Sequence, residues 1–134
     1  MAEIIFWKDK QNGKVDPSLF SSIAEKLAKD LAEDCRASRN KENKRTQIRK
    51  FYDEVVRLDM EAKARPKEWD NILPLVHMLT AKAAYAKGRR LVSDNFLSFI
   101  RASINQISGK EDLQLFANFF EAFMGFYRMY CPTN

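Results

Sequence analysis

From its first proline onward, the chain repeats apolar residues at the period of an α-helix, never at the alternation of a strand. Leu19, Phe20, Ile23, Leu27 and Leu31 recur at spacings of three and four. They predict a first helix to about residue 35, with Asp16 as N-cap and Pro17 in the first helical position. Ile48, Phe51, Tyr52, Val55, Leu58 and Ala62 predict a second over about residues 44–64, ended by Pro66. Ile72, Val76, Leu79, Ala83 and Ala86 predict a third over residues 71–87. Asp70 or Asn71 would cap it, Pro74 would fall in its first turn, and Gly88 would be its left-handed C-terminal cap. Ser93 opens a fourth to about residue 107, with Phe96, Leu97, Ile100, Ile104 and Ile107 inside and Gly109 as its stop. Lys110 or Glu111 opens a fifth, whose apolar face is wide: Leu113, Phe116, Phe119, Phe120, Phe123 and Tyr127. Such a helix is either central to a bundle or a docking face for a partner.

Residues 1–15 lack this period and read as an irregular arm, in which residues 4–7 offer at most one short strand with no pairing partner. The arm is expected either to dock on the helices or to stay disordered, and residues 131–134 to fray. The reading is all-α: a compact bundle of about five helices over residues 16–134, one domain with the arm.

At 134 residues the chain is long enough to bury a core without disulfides or a metal. Cys35 and Cys131 lie near opposite ends, with no Cys or His at metal-ligand spacing, and read as two reduced thiols. The one histidine, His77, projects to the polar side of the third helix without partners, and there is no Gly-rich phosphate loop or nucleophile elbow. Neither catalysis nor a metal or other cofactor is expected. No apolar run approaches the roughly 20 residues that span a bilayer. The first residues lack a basic leader and a small-residue cleavage site, so a cytoplasmic location is expected.

The net charge of +5 favours an anionic partner, and its distribution says more than its total. Residues 36–45 hold Lys41, Lys44 and Arg45 and no apolar anchor, a solvated loop or a nucleic-acid contact that orders on binding. Projection at about 100° per residue sets Arg45 and Arg49 beside Tyr52 and Val56 on one edge of the second helix. Lys50 and Arg57 project to the opposite, solvent face, with Glu54 and Glu61 as partners, so Arg45 and Arg49 rank ahead of Lys50. On the third helix Met78, Lys82, Tyr85 and Arg89 share an edge. Lys82 would either snorkel to water or meet a phosphate, with Tyr85 free to stack on a sugar or base. Lys87, Arg89 and Arg90 surround the helix C-terminus, where the dipole alone favours cations.

Two of these segments, one carrying IRKFY at residues 48–52 and one reading LPLVHMLTAKAAYAKGRR at residues 73–90, resemble the small subunit of the type III-A CRISPR effector complex, the Csm complex. The resemblance implies a helical, non-catalytic subunit of an antiviral ribonucleoprotein. Copies of it line up as a short filament beside the backbone subunits and hold the duplex of crRNA and target single-stranded RNA by its phosphates. It implies that cleavage and cyclase activities belong to other subunits. The family's basic positions fall on Arg49, Lys50, Lys82, Lys87, Arg89 and Arg90; Arg45 and Tyr85 join them from the helical projection. The small subunit of the sister Cmr complex fits the AKAAYAKGR run less well. The alternative function is a helical protein–protein adaptor, docked through the fifth helix, with no direct RNA contact.

Overall fold

The computed structural model describes residues 4–131. Among them are five α-helices and no strand: α1 (Ser22–Ala37), α2 (Arg45–Ala64), α3 (Trp69–Gly88), α4 (Asp94–Ile104) and α5 (Lys110–Tyr130). This is the five-helix, all-α bundle that the periodicity predicts. The stripe predicted for α3 is buried at all five positions, and that of α2 at all but Tyr52, which is half-buried.

α5 runs through the middle. Phe116, Phe119, Phe120, Phe123 and Tyr127 are wholly buried, and the helix packs against α1 and α2 while α3 lies against α2 and α4. The ring of Phe99, absent from the predicted α4 stripe, is the meeting point of this core. It lies 5.9 Å from Phe116, 6.0 Å from Phe119, 5.6 Å from Phe120 and 6.0 Å from Phe123. Tilted and edge-on ring pairs at such distances each add roughly 1 kcal/mol beyond the area they bury. The aromatic face of α5 is therefore core, not the docking face of the adaptor reading.

The arm docks. Phe6 is wholly buried, 5.7 Å from the ring of Phe116, and its N–H donates to Gln106 Oε1 at 2.9 Å, while Gln106 Nε2 donates to the Ile4 carbonyl at 2.7 Å. Beyond it the chain folds back on itself through a single antiparallel bridge between Asp9 and Lys14, with Gly13 left-handed at φ 66°. Residues 1–3 and 132–134, including most of the expected frayed end, lie outside the described residues.

Four boundaries differ from expectation. The first helix is broken at Ser21 (φ −122°, ψ −97°), leaving a 3-10 turn at Pro17–Phe20 ahead of α1. Asp16 caps that turn by accepting from Ser18 N–H at 2.9 Å, and the Ser18 carbonyl takes the N–H of Ser21, a local bond that competes with helix. α3 starts earlier, at Trp69, whose indole N–H donates to the Ser108 carbonyl at 3.0 Å, so Pro74 lies inside the helix and not in its first turn. Pro74 and Asp70 are both exposed, so the Asp70 carbonyl that the missing N–H leaves without a helical partner lies on the solvent side of α3. Gly88 is helical, and the left-handed residue is Arg90 (φ 61°). Leu91 N–H to Ala86 O and Arg90 N–H to Lys87 O, both 2.9 Å, complete a Schellman motif there. α4 stops at Ile104, with Ile107 buried in a following turn, and Gly109 is extended (φ −120°, ψ 168°) as the N-cap of α5.

Candidate nucleic-acid interface

α2 packs on two neighbours, α5 and α3, so each edge of its apolar stripe borders another helix. The edge toward α3 forms an open groove of about 370 Å³. Phe51, Leu79 and Ala86 make its apolar floor, and Gln47, Lys50 and Glu54 from α2 face Lys82 and Tyr85 from α3 across it. Lys50 is exposed, as projected, but it lines the same groove as Lys82 and Tyr85. Arg89 extends this cluster, with its guanidinium 5.8 Å from the centre of the Tyr85 ring and Nη1 donating to Tyr85 Oη at 3.2 Å.

Glu54 is the groove's one carboxylate. Arg57 donates to it at 2.6 Å and Lys82 Nζ lies 3.7 Å away. The bond from Arg57, more than the attraction of Lys82, holds its carboxyl below the ordinary glutamate range against the opposing pull of burial. Glu61, expected to partner Lys50 or Arg57, pairs with Arg65 instead. Among the described residues Lys50 has no ion pair.

The other predicted cations fall elsewhere. Lys87 and Arg90 border a second cavity, about 430 Å³, between the α1–α2 and α3–α4 turns, where Lys41 joins them. Asp34, Glu42 and Asp94 line it too, and Lys87 lies 3.6 Å from Asp94. Arg45 and Arg49 sit on the α5 side of α2. Arg45 is half-buried and reaches the Arg128 carbonyl at 3.5 Å, and Arg49 lies 3.8 Å from Asp53. Arg36 likewise donates to the Tyr130 carbonyl at 3.0 Å. Arg36 and Arg45 thus serve unpaired carbonyls at the C-terminus of α5, a structural task that sequence projection does not reveal.

The eight candidates therefore form three groups, and Lys50, Lys82, Tyr85 and Arg89 are the set the fold brings together. Gln47 and Glu54 were not foreseen as groove residues. Their spacing from Lys50 along α2 puts all three on one face, a signal that becomes legible once α2 has two packing neighbours. His77 is exposed on α3. Among the described residues no three His, Cys, Asp or Glu side chains are placed to hold a metal ion.

The family model Csm2 Type III-A matches residues 14–133. The chain belongs to the Csm2 family. It is thus a small subunit of the type III-A Csm complex, with partners inside that complex. The Csm2 match covers all five helices and all eight candidates, whereas residues 4–13 of the docked arm precede it. No curated protein and no solved structure matches the chain. No helix among the described residues is long and apolar enough to cross a membrane.

Proposed function

We propose that this Csm2-family chain is a non-catalytic, cytoplasmic subunit that grips the crRNA–target RNA duplex by its phosphates through the α2–α3 groove, in a row with further copies of itself. The observation that carries the reading is Lys50 and Lys82 facing each other across the groove, with Tyr85 and Arg89 at its mouth. Sequence is read by base pairing in such a complex, so the subunit needs cations at the right spacing and no base-reading code. Tyr85 is 67 % exposed, a surface free to stack on a sugar or base.

The test is a Csm complex reconstituted with wild type, with Lys50→Ala/Lys82→Ala, or with Lys87→Ala/Arg90→Ala, and target-RNA affinity measured over a range of salt. Each lost phosphate contact lowers the slope of log affinity against log salt by nearly one unit. The groove variant is expected to assemble, to bind roughly tenfold more weakly at moderate salt, and to lose about 2 units of slope. The Lys87/Arg90 variant should change both less. Glu54→Gln, which releases Lys82 from its ion pair, should tighten binding a few-fold. A groove variant that assembles and binds like wild type would hand the function to the adaptor reading, through a surface other than the buried face of α5.

A further inference from the structure

The two cysteines, remote in sequence, meet in the fold. Cys35 lies in the last turn of α1 and Cys131 directly follows α5; both thiols are buried and neither is in a disulfide. Cys131 stands close enough to Cys35 to hinder its ionisation. Both also sit under one turn: Cys35 Sγ lies 3.9 Å from Asn40 Oδ1, and Cys131 Sγ 3.9 Å from the Asn43 carbonyl, which also accepts from Tyr127 Oη. Among the described residues no third His, Cys, Asp or Glu joins the pair as a metal ligand would.

We propose that Cys35 and Cys131 are a thiol–disulfide exchange site, which a low-molecular-weight disulfide oxidises to an intramolecular bond tying α1 to the end of α5. The Cys131 thiolate attacks one sulfur of the disulfide RSSR and expels RS⁻. The Cys35 thiolate then attacks Cys131 Sγ in the mixed disulfide and expels the second RS⁻. The two protons of the protein thiols end on the two released thiols, and RSSR takes both electrons.

Burial governs the rate and packing governs the equilibrium. Burial first, and the neighbouring Cys131 second, push the Cys35 thiol up to about 11, so little thiolate exists near neutral pH. Exchange therefore waits for the end of α5 to open, a local event at a helix terminus. Once the chain recloses, the native fold holds the two sulfurs together and favours the bond over mixed disulfides.

The experiment bypasses the slow step. The full reduced chain is unfolded, refolded in glutathione buffers of graded redox ratio, acid-quenched and weighed intact. The expected product has lost two hydrogens, migrates faster in non-reducing electrophoresis, and persists at a reduced-to-oxidised glutathione ratio at least tenfold more reducing than the same pair tolerates in denaturant. Its thermal midpoint should rise by roughly 5 °C or more over the reduced chain. Cys35→Ser and Cys131→Ser should give only a glutathione adduct. Glutathione adducts on wild type, free thiols at every ratio, or equal stability of the bond in native buffer and in denaturant would each overturn the proposal.

Discussion

At the N-terminal end of α5 a buried carboxylate gathers separate stretches of chain, and at the C-terminal end a buried amide does the same. Asp112, 1 % exposed, accepts from the N–H groups of Ser108 and Gly109 at 2.9 Å each, from the Trp7 indole at 2.7 Å and from Lys10 at 3.1 Å. Asn43, fully buried, donates from Nδ2 to Ser93 Oγ at 2.8 Å and to the Leu31 carbonyl at 3.3 Å, and accepts from Ser93 N–H at 2.9 Å. Its backbone N–H donates to the Leu91 carbonyl at 3.0 Å. The carboxylate can only accept, so it suits a helix N-terminus crowded with donors; the amide both gives and takes, so it can serve Ser93, which presents an N–H and a hydroxyl, and the Leu31 carbonyl of α1 together. One junction depends on charge and should feel pH. The other does not.

The largest break is expected at Asn43. Asn43→Ala strands the Ser93 N–H in the core, removes the amide's bonds to Ser93 Oγ and the Leu31 carbonyl, and forces an alanine to φ 60°, for a loss of about 4 kcal/mol in denaturant unfolding. Asn43→Gly loses the same side-chain bonds but accepts the left-handed backbone, so it should recover about 1 kcal/mol of that. If the two variants unfold alike, the backbone geometry contributes nothing and the amide accounts for the whole effect.

Asp112 comes next. Burial alone would raise its carboxyl, but the N–H groups of Gly109 and Ser108, then Trp7 and Lys10, outweigh burial and hold it at about 2 against an ordinary 3.8. A folded-state value below the unfolded one adds stability that is complete above the unfolded value and is lost as pH falls through the folded one. Wild type should therefore shed about 2 kcal/mol between about pH 5 and pH 2 from this group. Asp112→Asn should be weaker by about that amount at pH 7 and lack this part of the acid dependence. An Asn43 variant should keep it, and an acid profile unchanged in Asp112→Asn would break the contrast between the two ends.

How much of this was legible follows the physics of each region. Periodicity carried the helices and the buried stripes of α2 and α3, because burying an apolar face leaves a repeat in the sequence. It missed Phe99, where the core closes around a ring one residue off the named stripe. Asn43 sat unnoticed in a stretch with no apolar anchor, since a polar anchor has no periodic signature; only its several partners, distant in sequence, give it meaning. Asp112 left a faint trace, an acid three residues after the extended Gly109, which is the spacing of a helix N-terminal cap. For the groove, projection ranked Arg45 and Arg49 ahead of Lys50 because it treats a helix as having one buried face. α2 has two packed neighbours, and the second, α3, gathers Lys50 with Lys82.

The smallest effects probe how the arm is fastened, and they separate its two bonds to Asp112. Trp7 is half-buried, so Trp7→Phe keeps much of the ring packing and removes one short bond to a buried charge, for about 1–2 kcal/mol. The Lys10 side chain is 56 % exposed although it reaches a buried partner, so solvent screens the pair and Lys10→Met should cost no more than about 0.5 kcal/mol at moderate salt. Raising salt should shrink the Lys10 effect further and leave that of Trp7 unchanged, because only the former is a contact between solvent-exposed and buried charge. Thermal unfolding of both variants at two salt concentrations checks the order. If Lys10 mattered more than Trp7, the arm would be held by long-range charge and not by the seating of Phe6 and Trp7, and the N-terminal junction would be as sensitive to salt as to pH.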